Sequence, residues 1–316
     1  MTSTEIVERL QELEGWRAAV VPVARLDDLR ADIEGRRPAV DAAVMAVVDR
    51  NLDLARPSAS FEVRSLIVVA VQHACAQATF VVDGEQLALP IPTTYCNHDA
   101  IQDCVAARLA VLLEPAGRAV AKAPLPEKLL AVCAGLARYG TNNVAYIEGW
   151  GSFVELVALV SDVAPPASHL WRVPQRISRC GSCSACVKAC PTGAIDGHRF
   201  LLHGERCLTL HNESDAPFAD WIDPSWHHCL VGCLRCQRVC PENLGVRDRV
   251  AERASFDERE TALLLAGVTH GSLARATSLR DKLADLGLLQ YDDVFFGIVV
   301  PRNLAAALQA LRSGRA

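Results

Sequence analysis

One stretch of sequence organises this chain: Cys180-Gly-Ser-Cys183-Ser-Ala-Cys186-Val-Lys-Ala-Cys190-Pro191. It spaces four cysteines as C-x2-C-x2-C-x3-C-P, and a reciprocal motif, C-x2-C-x3-C-P, follows at Cys233, Cys236 and Cys240. Three thiolates at these short spacings wrap one face of a cubane, and the fourth is carried away to a second cluster. The two motifs together therefore predict two [4Fe–4S] clusters with interleaved ligands.

The interleaving assigns ligands to each cluster. The first cluster takes Cys180, Cys183, Cys186 and Cys240. The second takes Cys190, Cys233 and Cys236 and needs one more ligand, for which Cys207 and Cys229 both have a suitable position. A structural zinc site is a weaker alternative, because four ligands would not call for the full run of motifs. An odd total of 13 cysteines also fits a closed disulfide framework badly.

The composition limits the class of protein to which this chain can belong. The 316 residues are 51% hydrophobic and 22% charged, which suits about two globular domains and excludes disorder. A net charge of −5 argues against a protein whose main task is to grip polyphosphate backbones. No signal peptide is visible, and the longest apolar run, residues 129–137, is too short to span a membrane. We therefore expect a cytoplasmic protein that makes no use of the membrane, with reduced thiols.

Helix and strand signals alternate upstream of the cysteines. The continuous apolar run at residues 65–71 predicts a strand that is buried on both faces. A hairpin is predicted where residues 79–82 and 86–89 meet across Asp83-Gly84. Residues 100–113 have helical periodicity, and residues 143–147 and 153–160 are further strand candidates. This alternation predicts an α/β or α+β layer structure without a Rossmann or Walker-type glycine loop.

We predict three parts. Residues 1–168 form an α/β domain for a cofactor and substrate, residues 169–250 form a ferredoxin-type domain with two [4Fe–4S] clusters, and residues 251–316 form a helical tail packed on the body. In the tail, the pattern Ser255-x-x-Glu258 predicts the start of a helix. The scattered arginines Arg302, Arg312 and Arg315 are expected to form a solvated face.

The order of motifs resembles the epoxyqueuosine reductase family, whose members are cobalamin-dependent iron–sulfur enzymes and distant relatives of reductive dehalogenases. Three stretches between residues 124 and 142 are similar to the family's P-x-x-E-R, A-G-L-G and G-K-N: Pro124-Leu-Pro-Glu127-Lys128, Ala134-Gly135-Leu136 and Gly140-x-Asn142. Gly151-Ser152-Phe153 resembles its G-S-W/F turn, and the second cysteine motif with Gln237 and Asn243 resembles its G-C-x2-C-Q-x2-C-P-x-N. Glu205-Arg206-Cys207-Leu208 is similar to A/E-R-R-C-I, which nominates Cys207 over Cys229 as the last ligand.

The resemblance also implies a cofactor and its binding residues. Cobalamin would lie over the sheet of the first domain, and an external donor such as ferredoxin or flavodoxin would supply electrons through the clusters. The protein would position the substrate, exclude water and supply a proton, while the corrin carries the difficult chemistry. The residues placed at the cofactor by this resemblance are Glu127, Gly135, Leu136, Gly140, Asn142, Asn143, Gly151 and Ser152.

The sequence departs from the family at the substrate end. Ala121 occupies the position of the Asp that is thought to donate the substrate proton, and the loop before the following helix, residues 90–98, is also different. We therefore interpret the chain as a paralogue with another proton donor. Because tyrosine and histidine serve as general acids, the candidates are Tyr95, His98 and Tyr139. Tyr146 and Glu127 are further candidates, for which a core position and a charge at a helix N-terminus are the simpler explanations.

Three functions remain open at this point. The first is an iron–sulfur reductase that passes electrons through cobalamin to an unidentified substrate, either a small molecule or one carried on tRNA. The second is an electron-transfer or corrinoid-reducing partner protein without a substrate of its own. The third is epoxyqueuosine reduction on tRNA, for which the acidic net charge shows no obvious docking face.

Overall fold

The computed structural model describes residues 2–52, 57 and 59–314. Within them the strands are β1 (Trp16–Pro22), β2 (Ser65–Gln72), β3 (Cys75–Val82), β4 (Glu85–Ile91), β5 (Val120–Lys122), β6 (Arg138–Tyr139), β7 (Ala145–Tyr146), β8 (Val154–Ser161) and β9 (Val250–Phe256). The α-helices are α1 (Ser3–Gln11), α2 (Arg25–Arg36), α3 (Ala42–Asn51), α4 (His98–Leu113), α5 (Glu127–Cys133), α6 (Ala185–Ala189), α7 (Leu208–Glu213), α8 (Arg235–Arg238), α9 (Glu258–Ala266), α10 (His270–Leu273), α11 (Thr277–Asp285) and α12 (Val300–Arg312).

The first sheet has the strand order β1-β2-β8-β5, and each neighbouring pair is antiparallel. Successive side chains of β2 point to opposite faces, so Leu66 packs with α2 and α5, while Ile67 packs with α1 and α4. Both faces of β2 are therefore covered, which confirms the prediction made from its continuous apolar run. The result is a three-layer arrangement of helix, sheet and helix, although the sheet contains no parallel pair.

The second sheet has the order β4-β3-β9 and carries the predicted hairpin. Asp83 and Gly84 have φ angles of 53° and 79°, which the tight two-residue turn requires and glycine adopts easily. Strand β9 pairs in parallel with β3 at the start of the predicted helical tail. The predicted helix start at Ser255 is therefore wrong, because Ser255 lies in β9 and Asp257 caps α9 instead.

The remaining helices close the fold. Helices α9, α11 and α12 pack on the second sheet, where the rings of Phe80 and Phe256 stack with centroids 5.0 Å apart. The cysteine-rich segment holds only short helices. The mixed α/β fold with C-terminal helices is confirmed, whereas the domain boundaries at residues 168 and 250 stay predictions. Within the described ranges, no helix is both long enough and apolar enough to cross a bilayer.

Candidate active site

The cysteines gather around two neighbouring cavities. The four that were assigned to the first cluster line one narrow cavity, together with Gly140 and Asn142: Cys180, Cys183, Cys186 and Cys240. All four are partly exposed. Four thiols around one space, with the spacing of the motif, are the donor set that a cubane takes. This cavity therefore fits the first [4Fe–4S] cluster.

A second, larger cavity of about 450 Å³ lies next to it. The cysteines that line it are Cys190, Cys207, Cys233 and Cys236. Cys229, the other candidate for the last ligand, is completely buried in an apolar cluster with Cys75, Phe153 and Leu234. The placement therefore favours Cys207 over Cys229, although this ligand assignment stays a proposal.

The predicted Gly151-Ser152 turn joins the first domain to the second cysteine motif. The Ser152 amide donates to Oδ1 of Asn243 (2.8 Å), and the Ser152 hydroxyl donates to Oε1 of Gln237 (2.9 Å). Asn243 in turn donates through Nδ2 to the Gln237 carbonyl (2.8 Å). Gly151 has a φ of 68°, and a Cβ there would collide with Asn243. These motif residues thus form one hydrogen-bonded junction beside the cavity.

Only some of the predicted cofactor residues reach the larger cavity. Those that line it are Glu127, Asn142, Asn143 and Ser152. The two asparagine amides are already engaged, because Asn142 donates to the Tyr146 hydroxyl (2.9 Å) and Asn143 donates to the Phe200 carbonyl (2.9 Å). Gly140 lines the narrow cavity instead. Gly135 packs against Leu170, and Leu136 packs against the core beside the first sheet.

A group of acids and a histidine lines the larger cavity as well. His98 begins α4, and its Nδ1 lies 2.6 Å from Oε1 of Glu155 in β8. The Gln102 amide, one turn further along α4, lies 3.0 Å from Nε2 of His98 and 3.3 Å from Oε1 of Glu127. Glu155 is only 2% exposed, and its Oε2 has no hydrogen-bond partner among the described residues.

This arrangement alters how strongly each group holds a proton. The hydrogen bond to Glu155 raises the pKa of His98 above its ordinary value. Burial, and next the charge of Glu155, raises the pKa of Glu127 to about 7. Groups that change protonation near neutral pH are suited to general acid chemistry. We call His98, Gln102, Glu127 and Glu155 the proton-holding group.

The other two predicted proton donors lie in different surroundings. The Tyr95 hydroxyl donates to Glu213, and both residues line the larger cavity. Tyr139 is buried in the core beside the first sheet, where its ring meets Phe200 edge-on with centroids 5.7 Å apart. The fold thus brings Tyr95 and His98 to one cavity, while Tyr139 packs away from it.

Three residues of the site, Glu155, Gln102 and Glu213, are not predicted from the sequence. Glu155 had a usable signal, because it is a lone carboxylate in a strand whose other residues are all apolar or small. Buried charges of this kind need a partner and often mark functional sites. Gln102 and Glu213 had no local signal, since their neighbours come from distant parts of the chain.

The cysteine-rich segment matches a known class of domain. Residues 179–243 match the family model described as a 4Fe-4S double cluster binding domain. The chain therefore contains a domain of the class that binds two [4Fe–4S] clusters, as the cysteine spacing predicts.

Curated proteins of similar sequence give a more specific resemblance. The chain is 33% identical to the epoxyqueuosine reductase of Cyclobacterium marinum over 152 residues, which cover 46% of this chain and 47% of the relative. It is 30% identical to that of Shigella dysenteriae over 201 residues, which cover 58% and 51%. The matches therefore span about half the length of these curated relatives.

Solved structures extend the likeness to the whole fold. A selenomethionine-labelled epoxyqueuosine reductase matches with a TM-score of 0.67 at 15% identity, over 98% of this chain and 81% of that one. The enzyme from Bacillus subtilis matches with a TM-score of 0.66 at 17% identity, over 98% and 81%. The resemblance to the epoxyqueuosine reductase family is thereby confirmed in sequence and in fold.

Proposed function

We propose that this protein is an iron–sulfur reductase that passes electrons from two [4Fe–4S] clusters, through a bound cobalamin, to a substrate in the larger cavity. One observation carries the proposal: the same cavity is lined by the four cysteines of the second cluster and by His98, Glu127 and Glu155 of the proton-holding group. Electrons and protons therefore arrive at one place, as a two-electron reduction requires. A simple electron carrier would not need a supply of protons.

The lining of the cavity fits a large, mostly apolar cofactor with polar edges. Ala145, Val154 and Leu156 supply apolar surface, and Ser152 lies at a polar edge. A corrin, when bound, would supply the reductive chemistry that no side chain provides. The residues of this chain would exclude water with the apolar surface, and His98 and Glu127 would hold the proton for the substrate.

Electrons would enter from the side of the first cluster. Its cysteines are partly exposed, and the neighbouring side chains of Arg179, Lys188 and Arg238 are exposed and basic. A basic surface next to a redox centre suits an acidic one-electron carrier, because opposite charges speed encounter and fix orientation. Ferredoxin and flavodoxin are the donors of this kind that we propose.

Anaerobic reconstitution of the full chain tests the proposal. We expect about eight iron atoms per chain, as two cubanes require, and two reducible centres in electron paramagnetic resonance. Optical titration with cob(II)alamin should then show saturable binding. The Cys229→Ser variant is the matched control, because Cys229 lies outside both cavities. Iron uptake without any cobalamin binding would remove the corrin from the proposal.

The two other functions are less well supported. A corrinoid-reducing partner without its own substrate calls for a closed, dry cavity, whereas this cavity is open and lined by Tyr95, His98 and other polar side chains.

Epoxyqueuosine reduction on tRNA is the second candidate, favoured by the names of the relatives. One structure of this fold is described as an epoxyqueuosine reductase with an epoxyqueuosine-modified tRNA stem loop. Ala121, at the position of the family's Asp, weighs against the same reaction here. Complementation of a queuosine-deficient strain decides the matter, with the Cys236→Ser variant as a negative control. Restored queuosine would establish this reaction, and failure beside a functional family enzyme would exclude it.

A further inference from the structure

Helix α7 is the short helix that directly follows Cys207. It has only six residues, Leu208–Glu213, and Cys207 is its N-cap. An isolated helix of this length is unstable in water. The carbonyls of its last turn also have no partner inside the helix and must be satisfied from outside. The position of Cys207 therefore depends on whatever holds α7.

Arg302 of α12 supplies a donor for one carbonyl of this last turn and for two carbonyls just beyond the helix. Its Nη2 donates to the carbonyls of His211 (2.9 Å) and Ser214 (2.8 Å), and its Nη1 donates to the carbonyl of Ala216. The guanidinium carbon also lies 4.1 Å from the centre of the Phe218 ring. The expectation that Arg302 forms part of a solvated face is therefore wrong, because its side chain is half-buried and donates to three carbonyls of the chain after Cys207.

Asn303, the next residue of α12, ties this segment to the second cysteine motif. It is fully buried, and its Nδ2 donates to the carbonyls of Asn212 (2.7 Å) and Leu230 (3.2 Å). Asn212 in turn donates to the carbonyl of Gly232 (2.7 Å), which directly precedes Cys233. One side chain thus bridges the chain that follows Cys207 and the chain that leads to Cys233.

Cys207 needs such a bridge more than the other ligands do. Cys233 and Cys236 are placed relative to each other by their short spacing, and Cys190 ends the first motif. Cys207 belongs to neither motif, so only tertiary contacts bring it to the same cavity. The contacts that run from α7 across to the second motif include those of Asn303 and of the Asn212 amide, while Arg302 holds the end of α7 against α12.

From these contacts we propose that Arg302 and Asn303 are positioning residues for the second [4Fe–4S] cluster. They hold Cys207 at the distance from Cys233 and Cys236 that the cubane requires, and so connect the C-terminal helix to the assembly of the cavity wall. The proposal rests on the two clusters of the proposed function. It predicts that losing either side chain removes the second cluster and spares the first.

The test is anaerobic reconstitution of the full-length Arg302→Ala, Arg302→Lys and Asn303→Ala variants. Iron content, the paramagnetic resonance spectrum of the reduced protein and the melting temperature are measured for each. Cys207→Ser and Cys183→Ser give the reference spectra for loss of the second and the first cluster. Arg312→Ala is the matched control, because it removes a guanidinium from the same helix. Among the described residues this guanidinium pairs with Asp83 and Glu85, not with α7.

We expect Arg302→Ala and Asn303→Ala to lose about half of the iron and to give the spectrum of Cys207→Ser. Arg302→Lys should lose less, because a single ammonium replaces only part of the guanidinium fork. Arg312→Ala should keep both clusters. The positioning role is overturned if Arg302→Ala and Asn303→Ala keep both clusters with wild-type spectra. It is equally overturned if they lose both clusters in parallel with a large fall in melting temperature. A wild-type chain that takes up no iron would instead refute the proposed function on which this role rests.

Discussion

The two functional walls of the larger cavity are built in different ways. The wall for electrons comes from one stretch of the chain, in which Cys190, Cys233 and Cys236 belong to the two cysteine motifs and Cys207 lies between them. The wall for protons comes from three elements, with His98 on α4, Glu127 on α5 and Glu155 on β8. The two motifs thus supply three of the four cysteines of the first wall, whereas the packing of helices on the sheet builds the second.

The two walls are therefore expected to respond differently to substitution. A cluster is assembled or lost as a unit, since a cubane needs all of its ligands. The proton-holding group adjusts gradually, because each partner shifts the pKa of the others by a limited amount. Changes to the cysteines should thus produce all-or-none effects, and changes to the acids should produce graded ones.

The largest effect is expected for Cys236→Ser. Cys236 lines the larger cavity with the other proposed ligands of the second cluster, so its loss should reduce the iron content from about eight to about four per chain. Cys229→Ser is the control and should leave both clusters in place, since Cys229 lies in a separate apolar cluster. Iron analysis and paramagnetic resonance measure both. Equal iron loss in the two variants would contradict the ligand assignment.

The next largest effect is expected at the junction between the walls. Asn243→Ala leaves the Ser152 amide and other buried polar groups without partners, which should lower the free energy of unfolding by about 1–3 kcal/mol. Anaerobic denaturant unfolding measures this. The exposed Asn51→Ala should change it by less than about 0.5 kcal/mol. A similar small change for Asn243→Ala would mean that the junction contributes little to stability.

A smaller effect is expected in the wall for protons. The Glu155 carboxylate raises the pKa of His98, so the Glu155→Gln variant should move that pKa down towards the ordinary value. Histidine resonances followed over pH by NMR report the change, and both clusters should remain. His270 is the internal control, because it pairs with Asp293 and neither residue lines the larger cavity. An unchanged pKa of His98 in Glu155→Gln would show that Glu155 does not control the protonation of His98.

The smallest effect concerns stability against pH. Because the pKa of Glu127 is raised to about 7 from an ordinary 4.5, the folded chain keeps a proton that the unfolded chain releases. The contribution of Glu127 to stability is therefore fully present below pH 4.5 and is lost as the pH rises through 7. Glu127→Gln should flatten the fall in melting temperature between pH 5 and 8. The exposed Glu8→Gln controls for the lost charge, and an unchanged slope for Glu127→Gln would contradict the assignment.

Much of the fold was predictable, because its signals are local. The buried strand β2, the hairpin at Asp83-Gly84 and helix α4 all follow from periodicity and turn chemistry within a few residues. Strand β9 was not predicted, because its parallel partner β3 lies far away in the sequence. The start of α9 was misplaced for the same reason, since pairing with β3 keeps Ser255 extended.

The candidate site likewise has a part that local sequence signals predict and a part that depends on distant contacts. The two cysteine motifs, the class of cluster they bind and the family resemblance can be recognised without a structure, because a metal cluster demands fixed short spacings. Tertiary packing is needed to bring Cys207 to the cavity while Cys229 is buried elsewhere, to place Glu155 beside His98, and to set α12 against α7. These contacts join residues that are distant in sequence, and only the packing of helices on sheets brings such residues together.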